Sequence, residues 1–305
     1  MNCDGVSRRT LHFDATCTDR GWLGSCVGEI ERRGIVSAPL HLATARGNQQ
    51  GRAAGIAFHA VDPARLPARS FVPVGVGIAS ASPELCFVQL AAEAPFGSLV
   101  ALGFELCGGY SLAPGTERGF VDRAPLTSVE ALAAYCEAAE GLRGVKNARR
   151  ALPYIADGSA SPMETALAAL LSLPACRGGY GFALPQMNGE IEVPRTMRRA
   201  AGADVLHCDL LWPGARVALE YDSDRYHTGA QRIARDSTRR GLLKQLDVEV
   251  VTVTRRQVVD LYAFEEQVVG LLAQLLGRRV RIRCEDFERR RRMLRQELFL
   301  LERRL

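Results

Sequence analysis

Three carboxylates set close together are the residues of this chain best placed to do chemistry. Asp209, Glu220 and Asp222 stand on two apolar runs, Val205 to Leu211 and Arg216 to Tyr221, separated by Trp212-Pro213-Gly214-Ala215. Apolar runs flanking a Pro-Gly pair read as two strands and a tight turn. With the turn centred on Pro213-Gly214, Leu211 pairs with Arg216, Asp209 with Ala218 and His207 with Glu220. Side chains alternate faces along a strand, so the three acids are expected on one face. A loop of two or four residues keeps that parity and a loop of three breaks it. Carboxylates gathered in this way repel unless a cation lies between them, and an all-oxygen donor set suits Mg²⁺ or Mn²⁺.

An aspartate, a short connection and a glutamate on the next strand resemble the metal site of the PD-(D/E)xK nuclease superfamily. The continuation of the chain is more specific. Glu220-Tyr221-Asp222, then His227, then Arg232, Asp236, Arg239 and Arg240, then the strand-like run Val248 to Thr254 are similar to the Vsr-like endonuclease domains. The resemblance covers roughly the last half of the chain, up to about Leu276. It implies an α/β fold over residues 161–277, a restriction-endonuclease-like core with a mixed central sheet flanked by helices. It also implies metal-dependent hydrolysis of DNA phosphodiesters. Asp222 stands where the superfamily usually carries a lysine.

The resemblance implies a role for each residue. Asp209 and Glu220 would hold the divalent ion, with the Tyr221 carbonyl as a further ligand. Asp222 would be another ligand or would hold the attacking water. His227 titrates near neutrality and suits a general base or acid, although a lone His after a strand is as often a surface residue. Arg232, Arg239 or Arg240 would meet the scissile phosphate; their four-residue spacings around Asp236 equally describe a surface ion-pair ladder. Two other readings remain: a nuclease fold that has lost catalysis and serves as a DNA-binding or toxin–antitoxin regulator, and a hydrolase of small phosphate esters.

Glu164 has two readings. Ser161-Pro162-Met163-Glu164 opens an apolar helix through Leu173, with Ser at the N-cap, Pro at the first position and Glu at the third. That is a capping box in which Glu164 bonds back to the Ser161 N–H. In the resembled nucleases a helical acid before the sheet often lies beside the metal, and Glu164 matches that place. Thr196 to Ala203 reads as a basic loop whose Arg198 and Arg199 could touch a phosphate backbone.

The remaining chain sets bounds. Hydrophobic residues make up 47% and charged residues 24%, ordinary for a globular protein. No run of 18 apolar residues occurs, so no membrane span is expected, and the N-terminus lacks the apolar core of a secretory signal. Nine cysteines without a C-x-x-C pair point to reduced thiols and a cytoplasmic location. Gly-rich phosphate loops and Ser-His-Asp arrangements are absent. Residues 278–305 carry 11 Arg against 5 acids, so they hold the basic character of a chain whose net charge is +5. Arg289, Arg290, Arg291 and Arg292 are the expected DNA contacts of this helix; the plain alternative pairs its arginines with Glu285, Glu288 and Glu297. Cutting both strands would favour a homodimer.

Residues 1–125 read as a smaller α+β domain. Ile35 to Ala45 suggests a short helix, Ile56 to Val61 and Phe71 to Ile78 suggest strands, and Ser80 or Ser82 caps a helix beginning at Pro83. The phrase SASPELCFVQLA resembles the middle region of proteins related to abortive-infection antitoxins, which implies a platform for DNA or a partner protein. Gly108 to Pro125 reads as a loop, and residues 126–160 as a helical connector. Gln257 to Leu276 is expected to close the nuclease-like region as one amphipathic helix.

Overall fold

The computed structural model describes residues 40–45, 56–75, 78–222 and 230–303. The chain is mixed α/β, built on a four-stranded sheet flanked by helices. The sheet comprises β7 (Gln186–Glu192), β8 (Val205–Trp212), β9 (Val217–Asp222) and β10 (Glu249–Thr254), in the order β10-β9-β8-β7. β7, β8 and β9 are successively antiparallel, with a tight turn between β8 and β9. β10 runs parallel to β9, and the crossover that a parallel pair requires is helix α7 (Ala230–Gln245).

Leu210 pairs with Leu219, Leu211 with Ala218 and Trp212 with Val217, a slip of two residues from the register expected around Pro213-Gly214. The connection has four residues: a 3₁₀ turn at Pro213–Ala215, then Arg216 at φ 53°. Four residues preserve the parity of the pairing.

Along β9 the alternation is regular. Val217 and Leu219 enter the main apolar cluster, while Ala218 enters a second one with Leu242 and Leu243 of α7. β10 places Val251 and Val253 in the main cluster and leaves Thr252 exposed, with Val250 half-buried against the second cluster. Burial of this strand on both faces is therefore incomplete, because it lies at an edge of the sheet.

Beneath the sheet runs α5 (Pro162–Ser172), whose residues from Met163 to Ser172 are all buried. A helix apolar on every side needs cover on every side. Helices α1 (Pro83–Leu90), α2 (Phe96–Cys107), α3 (Val129–Ala138), α4 (Val145–Ala151) and α10 (Phe287–Arg303) join α5 in one continuous apolar cluster with the sheet. Ser82 caps α1 and Ser128 caps α3 through their hydroxyls. Helix α10 binds this assembly together: Glu297 accepts the Gly97 N–H, which α2 leaves without a side-chain cap of its own.

Several sequence expectations are corrected. Leu40–Ala45, which the sequence suggests as a helix, is a strand, β1, paired parallel with β2 (Ile56–Val61); backbone pairing with a neighbour strand overrides its helix-forming Leu and Ala. Phe71 to Ile78 is not one strand but part of a hairpin, β3 (Phe71–Gly75) with β4 (Ile78–Ala81). The Gly-rich stretch from 108 to 125 holds a second hairpin, β5 (Tyr110–Leu112) with β6 (Phe120–Asp122). Arg198–Ala201 forms a single helical turn, α6, in the expected basic loop. The helix expected from Gln257 to Leu276 is broken at Asp260. It comprises α8 (Arg255–Val259) and then α9, made of Leu261–Ala263, a π-helical stretch Phe264–Val269 and Gly270–Leu275. The Asp260 carboxylate caps the N–H groups of Tyr262 and Ala263, which restarts the helix.

Candidate functional site

The backbone ladder between β8 and β9 ends at Leu210 and Leu219. Continuing that register by one residue sets Asp209 across from Glu220. There the Tyr221 N–H donates to Asp209 Oδ2 at 2.8 Å, so a side chain takes over from the backbone. The strands part at the two acids that the sequence singles out.

β8 is not regular at this point. Cys208 lies in the second apolar cluster and Leu210 in the main one, although a uniform strand would show both on the same face. β7 changes sides likewise, between Met187 and Ile191. Both switches fall on one facing pair, Asn188 and Asp209, which the register Met187↔Leu210 and Gly189↔Cys208 brackets. Asn188 adopts φ 47°, in the left-handed region that Asn tolerates better than most residues. Gly189 is required beside it, since a Cβ there would meet the Leu211 side chain at 2.5 Å. Simple alternation therefore does not describe Asp209, which occupies the seam between the layers, while Glu220 shares the face of Ala218.

On the side of α5, Glu164 is 8% exposed and held by three donors. Its Oε1 accepts from the Ser161 hydroxyl at 2.8 Å, and its Oε2 from the Ala160 N–H at 2.9 Å and from Asn188 Nδ2 at 2.8 Å. Ser161 Oγ in turn caps the Glu164 N–H. The back-bond goes to Ala160, not to the Ser161 N–H that the capping box predicts, because the carboxylate leans toward β7. Cap and site acid are thus compatible roles. Burial, and then the nearby Asp209 charge, push the Glu164 carboxyl up to about 7. Burial raises Asp209 as well, with Glu220 adding to it, against the opposing Tyr221 N–H bond and the Arg239 charge. These carboxyls feel each other.

On the side of α7, Arg239 donates to Glu220 Oε1 at 2.5 Å and to the His207 carbonyl. Arg239 therefore lies on a carboxylate of the candidate site, not on an open surface. Burial, followed by the charge of Glu220, pushes the neighbouring Cys208 thiol up to about 12, so this thiol stays protonated. Tyr221 is half-buried against the main core and Asp222 is half-buried across from Thr254 of β10.

Among the described residues, no three His, Cys, Asp or Glu side chains stand close enough to hold one metal ion together. Magnesium sites commonly use one or two carboxylates and fill the remaining positions with water and substrate oxygens. Asp209 and Glu220, hard donors that crowd one another, fit that pattern. His227 lies outside the described residues, and so does the side chain of Arg232.

The other expected cations divide sharply. Arg198 is tied to the Val193 carbonyl and to Asp204, an ordinary brace of its turn. Arg199 and Arg240 are exposed. The run in α10 takes acid and carbonyl partners. Arg289 pairs with Asp286, Arg290 with Asp286 and the Cys176 carbonyl, and Arg292 with Glu288. Arg291 is 2% exposed and bound to Glu288 and Glu265. Of the four, Arg291 is buried inside the fold, while Arg289 and Arg292, 64% and 68% exposed, hold surface pairs within the helix.

Sequence reasoning missed Asn188 and the anchoring of Arg239 on Glu220. For Asn188 a signal existed: Asn-Gly is a strong turn dipeptide, and here it lies inside β7. For Arg239 none did, since helix spacing cannot say which strand residue faces α7.

Two uncharacterized proteins of Mycobacterium tuberculosis, from two strains, are 31% identical to this chain over 113 residues, 37% of this chain and 37% of their own length. The matched region thus spans little more than a third of these relatives. No family profile matches the chain, and no solved structure matches it significantly.

Proposed function

We propose that residues 161–277 form a Mg²⁺- or Mn²⁺-dependent endonuclease that hydrolyses DNA phosphodiester bonds. The observation that carries this reading is the parting of β8 and β9 at Asp209 and Glu220, with Glu164 on one side and Arg239 on the other. The order of helix α5, three antiparallel strands, crossover helix and parallel strand supports it. It delivers the helical acid, the Asp–Glu pair and the R…D..RR helix to one end of the sheet. Asp209 and Glu220 would hold the ion, which supplies water activation and charge neutralisation when bound. Glu164, protonated in part near neutrality, can hold or give a proton beside Asp209. Arg239 neutralises Glu220 in the absence of metal and can turn to a phosphate when a cation takes its place.

The Arg239–Glu220 pair also favours a second reading, a nuclease fold used only to bind DNA. An internal guanidinium that satisfies Glu220 permanently would leave the site without catalysis. The two are separated by incubating plasmid and single-stranded DNA with Mg²⁺, Mn²⁺ or EDTA. Metal-dependent cutting that Asp209→Asn abolishes supports the nuclease; tight binding without cutting in any metal supports the second reading.

A further inference from the structure

The structure holds a second group of arginines, and they behave unlike those of α10. Residues 278–283 contain Arg278, Arg279, Arg281 and Arg283 and no acid. All four are exposed, and among the described residues none makes an ion pair or a side-chain hydrogen bond. The segment is neither helix nor strand, yet it is pinned. At its start Gly277, at φ 61°, ends α9, and the Arg278 N–H bonds back to the Ala273 carbonyl. At its far end the Phe287 N–H bonds to the Cys284 carbonyl and the Phe287 ring is buried. Between these points Val280 and Cys284 pack on the main core, while Arg279, Arg281 and Arg283, with Ile282 among them, are exposed. Arg278, Arg279 and Arg281, with Gln274, line an open groove of about 610 Å³.

We propose that this arm, residues 278–283, is a docking surface for the phosphate backbone of nucleic acid. Its charge of +4 nearly equals the net charge of the whole chain, so the basic character of the protein is concentrated where no internal acid consumes it. Guanidinium groups pair phosphate oxygens bidentately and stay charged at any physiological pH. The groove contains no carboxylate; Ala273, Gly277 and Val280 complete its lining. Because both ends are held, little ordering of the backbone opposes binding. Contacts of this type set affinity and position without reading sequence. The inference deepens the nuclease reading by naming where its substrate is gripped, and it rests on that reading for the choice of polyanion.

The test is binding of a fluorescent duplex to the full chain in EDTA, across a series of salt concentrations. Each phosphate contact contributes about −0.9 to the slope of log affinity against log salt. The triple variant Arg279→Gln, Arg281→Gln, Arg283→Gln should flatten the slope by about 2 to 3. The double variant Arg289→Gln, Arg292→Gln should leave it unchanged. Folding is checked by thermal unfolding, and Arg281→Gln alone gives a smaller change of the same sign should the triple variant be unstable. An unchanged slope in both arm variants overturns the proposal, as does an equal loss in the α10 variant. Arginine-dependent binding to phosphatidylserine vesicles without DNA binding would overturn it too, by assigning the arm to a membrane. No step requires cleavage, so a catalytically silent protein with an arm-dependent slope refutes the nuclease and leaves the arm standing.

Discussion

The two ends of the β8–β9 pair contrast in how they are held. At the closed end, Leu210 and Leu219 are fully buried and paired through the backbone, with Trp212 anchored on the Ala183 carbonyl. At the open end, one residue further on, the ladder yields to side chains: Asp209 takes a backbone N–H and Glu220 takes a guanidinium. A buried backbone group must be paired somewhere, and a carboxylate that does the pairing is held in place by the fold. Stability is thus stored at one end, and at the other the fold tolerates crowded charge. Acids raised by burial and a neighbouring charge are costly to folding, which marks Asp209 and Glu164 as candidates for function.

The largest expected effect breaks the open end. Asp209→Asn and Glu220→Gln should each lower metal-dependent cleavage by more than about a hundredfold, since a hard anionic ligand is lost with little change in volume. Unaltered nicking by both variants would place the chemistry elsewhere. Leu210→Ala or Leu219→Ala breaks the closed end instead and should cost about 2–5 kcal/mol in denaturant unfolding. The molecules that remain folded should bind Mg²⁺ as the parent does, and a loss of metal affinity equal to that of Asp209→Asn would erase the contrast.

A pH series sharpens the same comparison. Glu164 has an ordinary value of 4.5 and is pushed to about 7 in the fold. Between those values the folded state binds more protons than the unfolded chain, so stability declines as pH rises from 4.5 to about 7. The decline attributable to this group is on the order of 3 kcal/mol. Glu164→Gln should remove most of that slope in urea unfolding and leave the smaller contribution of Asp209; an unchanged slope would mean that Glu164 is not buried beside Asp209. The smallest effect belongs to Asn188. Asn188→Ala removes a donor to Glu164 and should lower kcat by about tenfold to a hundredfold with KM for DNA retained. A rise in KM alone would make Asn188 a contact to substrate and not a brace for Glu164.

The acids, their parity and the helix carrying Glu164 were legible because they depend on short-range rules: Pro-Gly turns, caps and alternation. The same rules failed where another contact competed. Alternation predicts a regular β8, but the Asn188–Asp209 pair switches both strands across the sheet. Periodicity reads Gln257 to Leu276 as one helix, and the carboxylate of Asp260 restarts it. Charge counting leaves the tail between DNA and ion pairing, and α10 pairs its run of four arginines with Asp286, Glu288 and Glu265.

The sequence by itself determined which residues could bind a cation and that strands would carry them, because residue type and local pattern are written along the chain. Only the tertiary structure decided that Glu164 is held by Asn188 near Asp209, that Arg239 lies on Glu220, and that the run of four arginines in α10 takes acid partners while the arginines of the arm before it do not. The first two outcomes depend on groups far apart in sequence meeting at the sheet, which no local spacing records; the pairs of Arg289, Arg290 and Arg292 are local, three or four residues apart.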